Sequence, residues 1–245
     1  MKSKSKENSS KAGNDKIITL VTGANKGVGY ETVRRLIKEG HCVYLAARNP
    51  KLGKAAAQET GANFIELDVT SDDSVKLAVE YITINEARLD ILINNAGVSG
   101  PIREAQDYTP DDAMPVVLTN LVGYVRMMHA FIPLLKKSGN PQIINVSSGL
   151  GSFGLFHDKK RIESRFGSPL YAASKAAINM LTARYASLLP DIRINAVDPG
   201  MTATDLSGGN GHSLKEGTDA IIRLAIHAPD SPTGTFQDLD GEIPW

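Results

Sequence analysis

The chain has 245 residues, 42% of them hydrophobic, and 27 Lys and Arg against 27 Asp and Glu, for a formal net charge of zero. That is enough apolar material for a full core, which excludes a disordered or fibrous chain over most of the length. The balanced charge gives no electrostatic ground for nucleic acid or an anionic membrane as partner, and the one cysteine, Cys42, points to a reducing, cytoplasmic setting.

Residues 1–15 show no hydrophobic period and none of the apolar stretch of a secretory signal, so a solvated, disordered tail is expected there. From Lys16 onward, short apolar runs alternate with longer amphipathic ones. A strand over 17–21 feeds a helix over 27–38 that closes at Gly40. A strand over 42–46 precedes a helix opened by Asn49-Pro50, an N-cap followed by proline at the first helical position. Next come a strand over 63–67, a helix from its Ser71 cap to about residue 87, a strand over 89–93 and a long helix over 111–136. The apolar part of that last helix, 118–135, contains Asn120, Arg126 and His129, so no membrane span is expected. A strand over 142–146, a helix over 169–188 and a strand over 192–197 complete the series. This alternation implies right-handed crossovers and an α/β fold with one doubly wound parallel sheet, a single domain over 16–245. Two segments break the rhythm: 152–168, polar with Phe153, Phe156 and Phe166 embedded, and 206–217 with four glycines. Loops of such length in a compact domain are usually functional or disordered.

Strand one runs into Thr22-Gly23-Ala24-Asn25-Lys26-Gly27-Val28-Gly29. Glycines at 23, 27 and 29 allow backbone angles and close approaches that a Cβ obstructs, and the helix that follows offers free N–H groups to a pyrophosphate. The spacing differs from the common dinucleotide fingerprint, and a ligand-free strand–helix turn is the competing reading. Strand two ends at Ala46-Ala47-Arg48 with no carboxylate for a ribose 2′-hydroxyl. Arg48 and Lys26 instead favour a 2′-phosphate, hence NADP(H), over NAD(H); the alternative for Arg48 is an ordinary solvated charge.

Tyr171 and Lys175 share a helix face, and the helix follows a strand ending in Asn145-Val146-Ser147-Ser148, where open parallel sheets bind ligands. The TGxxxGxG turn at 22–29, Asp68-Val69, Asn94-Asn95-Ala96-Gly97, Asn120, Ser148, Tyr171-x-x-x-Lys175 and Pro199-Gly200 occur in the order found in classical short-chain dehydrogenases/reductases. The chain resembles that family over nearly all of its length beyond the tail, and its wording TGANKGVG is most similar to the carbonyl reductase branch. The resemblance implies a Rossmann-like fold and NADPH-dependent reduction of an aldehyde, ketone or quinone. In it, Tyr171 is the general acid, and Lys175 favours the phenolate and holds the nicotinamide ribose. Ser148 binds the substrate oxygen, and Asn120 holds a water linking Lys175 to solvent. Ser148 is preferred to Ser147 because Gly151 follows it at the family's spacing. The cofactor would lie on Gly23, Asn25, Lys26, Gly27, Val28, Gly29, Arg48, Asp68, Val69, Asn94, Ala96 and Gly97. The turn Pro199-Gly200 with Thr202 and Thr204 would take the carboxamide and diphosphate.

The stretch between Ser148 and Tyr171 exceeds that of the family's shortest members. Phe153 and Phe156, with Leu155, are therefore expected to wall an apolar substrate pocket, with 206–217 as a mobile lid. The insertion also precedes the helix many members use to dimerise, so a monomer or weak homo-oligomer is expected. A serine hydrolase lacks its G-x-S-x-G, and the histidines at 41, 129, 157, 212 and 227 show no ligand spacing, so no metal is expected. Isomerase or dehydratase relatives carry a larger substrate domain. The alternative from another class is an NADP-binding sensor or scaffold without turnover, whose mark would be a missing catalytic residue.

Overall fold

The structure, a computed structural model, describes residues 16–226 and 231–245. The expected tail over 1–15 and His227 lie outside the described residues. Seven parallel strands form one sheet in the order β3-β2-β1-β4-β5-β6-β7: β1 (Ile18–Thr22), β2 (Cys42–Ala47), β3 (Asn63–Glu66), β4 (Ile91–Asn94), β5 (Gln142–Val146), β6 (Arg193–Val197) and β7 (Phe236–Gln237). The order reverses between β1 and β4, which opens a crevice at their carboxyl ends.

Helices cover both faces, so the central strands are buried on each side and read as continuous apolar runs. One face packs α3 (Asp72–Glu86), α5 (Gly123–Leu135) and α7 (Pro169–Leu188) around Leu20, Leu92, Met127 and Phe131. The other packs α1 (Gly27–Lys38), α2 (Pro50–Thr60) and α8 (Leu214–Ile226) around Val21, Val33, Leu45 and Ile221. Asn49 and Ser71 cap α2 and α3 as their sequences imply, each side chain accepting a first-turn N–H.

The expected single helix over 111–136 is three pieces. Thr109 and Asp112 form a capping box at the start of α4 (Pro110–Val117), and a π-helical turn, Leu118–Val122, joins α4 to α5. The run Pro110–Leu135 is long and apolar enough to cross a membrane by length and composition. In the fold its apolar side chains Tyr124, Met127, Met128 and Phe131 are spent on the core. The segment 152–168 is not a plain loop. It holds a short helix α6 (Phe153–His157) and a 3-10 turn (Ile162–Ser164) with Glu163 buried.

Candidate active site

The glycine turn is clipped to the end of β4. Thr22 Oγ1 accepts the N–H groups of Asn95 (2.9 Å) and Ala96 (3.1 Å), and Asn95 Nδ2 donates to Thr22 O (2.8 Å) and Gly23 O (3.2 Å). Gly23 has φ +63°, and a Cβ there would stand 2.8 Å from Ala96 Cα; one on Gly29 would stand 2.5 Å from Asn95 Nδ2. Neither position admits a side chain. The start of α1 has no side-chain cap, unlike those of α2, α3 and α4, and no acidic residue in its first turn, unlike those of α3 and α4. Its free N–H groups fit an anionic group such as a pyrophosphate, with Asn25, Gly27 and Val28 partly exposed beside them.

Arg48 is exposed at the end of β2. Asp68 is partly buried, which opposes its charge, yet the Thr70 hydroxyl and N–H together with Arg48 and Arg126 hold its carboxyl below the ordinary value. Val69 is buried beside it. Lys26 makes a 2.6 Å ion pair with Asp205 across the crevice, both side chains being exposed. A bound phosphate would compete with that carboxylate. Asn94 is the exception to the expected set. Its side chain is wholly buried, donating to Asn145 Oδ1 at 2.9 Å, so it links β4 to β5.

The four expected catalytic side chains come from three places, Asn120 from the π-helical turn, Ser148 from the loop after β5 and both Tyr171 and Lys175 from α7, and meet beyond β4 and β5. The Ser148 hydroxyl lies near enough to the Tyr171 phenol to draw its titration down, whereas Ser147 is buried and bonded to Asn179 and to Lys175 O. Lys175 Nζ sits 5.4 Å from the Tyr171 ring centre and donates to Val146 O at 2.7 Å, a carbonyl that also accepts the Tyr124 hydroxyl at 2.9 Å. Burial pulls the Lys175 ammonium down to about 7, with Asp198 opposing. Burial likewise pushes the Tyr171 phenol well above its ordinary value, Asp198 adding to the rise and the Ser148 hydroxyl drawing it back.

Asn120 sits in the π-helical turn, a local widening that recurs at functional sites. Its amide is engaged on both sides: Oδ1 accepts Val98 N–H (2.9 Å), and Nδ2 donates to Val98 O (2.9 Å) and Ser174 Oγ (3.0 Å). Gly97 lies beside both groups: a Cβ there would stand 3.4 Å from Asn120 Oδ1 and 3.9 Å from Lys175 Nζ.

Beyond β6 the Pro199-Gly200 turn leads to Thr202, whose hydroxyl donates to Pro199 O at 2.9 Å, and to Thr204, whose Cγ2 would stand 3.4 Å from a Cβ on Gly27 of the glycine turn. The expected lid is largely built structure. Residues 205–207 form a 3-10 turn, His212 N–H bonds Met201 O at 2.9 Å, and Leu214 already begins α8. Phe153 and Phe156 are exposed on α6, while Leu155 turns inward against Gly149, behind the Ser148 loop rather than in the expected pocket wall. A clasp that sequence reasoning missed holds α6. Gly154 N–H donates to Trp245 O (3.1 Å), Ser152 Oγ donates to Pro244 O (2.7 Å), and Trp245 stacks on Phe236. Asp198, Tyr124 and Asn95 were missed too; each acts through a tertiary contact that leaves no periodic or motif signal. No cluster of three metal-binding side chains occurs among the described residues.

A phenol, a hydroxyl and a buried amine beside an anion-binding turn suit proton donation to an oxygen that gains charge. Comparison with known proteins gives the family. The family model for short chain dehydrogenases matches residues 17–214. The (+)-neomenthol dehydrogenase of Arabidopsis thaliana is 31% identical over 89% of this chain and 94% of its own, and the (-)-isopiperitenone reductase of Mentha piperita 32% over 90% and 96%. Among solved structures, the NADPH-bound carbonyl reductase from chicken fatty liver superposes with a TM-score of 0.83 at 27% identity, over 94% of this chain and 100% of that one. Salutaridine reductase from Papaver somniferum gives 0.80 at 26%, over 90% and 99%.

Proposed function

The chain belongs to the short-chain dehydrogenase family, an oxidoreductase family, and from that premise we propose that it reduces a small hydrophobic carbonyl compound to the alcohol with NADPH, Tyr171 acting as general acid. The observation that carries this is the convergence of Ser148, Tyr171 and Lys175 at the carboxyl end of β5. Nicotinamide chemistry supplies the hydride to the carbonyl carbon. The Ser148 hydroxyl orients the carbonyl oxygen toward Tyr171, and the phenolic proton passes from Tyr171 Oη to that oxygen as its charge grows. Lys175, when protonated, offsets the phenolate left behind. The α1 N-terminus and the turns at Gly23–Gly29 and Pro199–Thr204 would hold the diphosphate and carboxamide. Arg48 suits the 2′-phosphate, as does Lys26 once it parts from Asp205. Phe153 and Phe156 offer apolar surface to the substrate.

The carbonyl reductase and plant reductase relatives support this reading of substrate class. A monomer and a cytoplasmic setting complete it. Tyr171→Phe should bind NADPH as the parent does yet lose about 10²–10⁴-fold in turnover of a carbonyl panel; retained activity would reject Tyr171 as the acid. NADPH binding without turnover in the parent chain would favour a sensor instead.

A further inference from the structure

Lys26 and Asp205 stand 179 positions apart in the sequence, yet their side chains meet at 2.6 Å across the mouth of the crevice. Both side chains lie in water, so burial does not hold them there; the backbone aims each one. Lys26 is the extended N-cap of α1, its carbonyl accepting the Tyr30 N–H at 3.2 Å. Asp205 opens the 3-10 turn Asp205–Ser207, in which Thr204 and Ser207 cap one another and the Ser207 hydroxyl donates to Thr202 O at 2.7 Å. The two segments are also close in backbone terms, since a Cβ on Gly27 would stand 3.4 Å from Thr204 Cγ2.

α1 has no acidic residue in its own first turn, so the carboxylate facing its start arrives from the far side of the crevice. There it occupies a cation that the glycine turn offers to phosphate. A carboxylate at contact distance neutralises much of the attraction an ammonium exerts on a second anion. A phosphate gains the full charge of Lys26 by displacing Asp205.

We infer that Asp205 is a specificity-determining residue of the cofactor site, an internal carboxylate that competes with the 2′-phosphate for Lys26. A dinucleotide without that phosphate leaves the pair closed, and one that carries it opens the pair. Asp205 thereby weakens NADPH, spares NADH and narrows the preference between them. This rests on the reading that Lys26 meets the 2′-phosphate. Because the pair is exposed, the competition is modest, and releasing Lys26 should tighten NADPH about two- to five-fold.

The test measures binding without turnover. Dissociation constants for NADPH and NADH are determined by fluorescence titration of the full chain, at low and high salt, in the parent, Asp205→Asn, Lys26→Gln and the double variant. Asp205→Asn should tighten NADPH about two- to five-fold at low salt and leave NADH unchanged. The gain should shrink at high salt and vanish when Lys26 is Gln. Loss of a merely structural contact does not raise affinity. Unchanged or weaker NADPH binding, equal tightening of both cofactors, or a gain that persists without Lys26 overturns the proposal. The Asp205 side chain is 79% exposed, so Asp205→Ser serves by the same criteria should the Asn variant not fold. Failure of the underlying reading shows separately. Lys26→Gln alone should weaken NADPH and spare NADH; if it spares both, the reading of Lys26 and the proposal fall together. If it weakens NADPH while Asp205→Asn changes nothing, the proposal falls alone.

Discussion

Lys175 shows at the scale of one residue how the site opposes the fold. Its amine is buried, and burial draws it from the ordinary lysine value of 10.5 to about 7. Between those values the unfolded chain binds more protons than the folded one, so stability rises with pH across that window. The penalty is full below pH 7 and fades toward pH 10.5. Lys175→Met should therefore melt higher than the parent at pH 6, with the gap closing by pH 10, while turnover is lost; a constant gap in thermal melts would contradict the assignment. At the other end of the crevice, Arg48→Ala should weaken NADPH by about tenfold, the worth of one ionic contact, and leave NADH nearly unchanged in fluorescence titrations.

At the scale of elements, the glycine turn and the β4 end act as one part. A methyl on Gly29 would enter the space of Asn95 Nδ2 and Gly23 O. Gly29→Ala should cost about 1–3 kcal/mol through overpacking and raise the NADPH dissociation constant at least tenfold, both measurable by melting and titration. Most of these elements were legible in the sequence, because β-branched runs and capped amphipathic helices carry their periods locally. The start of β4 was misplaced, since Leu89 and Asp90 are apolar-flanked yet precede Ile91 as connection. The break at Leu118–Val122 was not legible, because a wider helical turn preserves the apolar stripe. β7 has two residues and no period at all. Ser148, Tyr171, Lys175 and Asn120 were found through a motif, while Asn94 was assigned to the crevice although its neighbour Asn95 reaches the turn. The clasp on α6 makes its own prediction. Removing residues 244–245 loses two hydrogen bonds worth about 1 kcal/mol each, so the melting temperature should fall by about 4–8 °C. The KM for carbonyl should rise while NADPH affinity holds.

Over the whole molecule, the sheet order places groups from residues 22–29, 94–97, 120, 148–175 and 198–204 on one edge, with no second domain needed to complete the site. The fold class followed from the alternation of elements alone; the support given by the last residues did not, because it depends on β7 returning the chain to the edge of β6. Light scattering should report a single chain of 26.3 kDa, and a firm tetramer would reject the proposed monomer. Because Trp245 and Pro244 grip the segment that carries the insertion, a deletion confined to these two residues should behave like a hypomorphic allele, and one reaching back to Asp238 like a knockout.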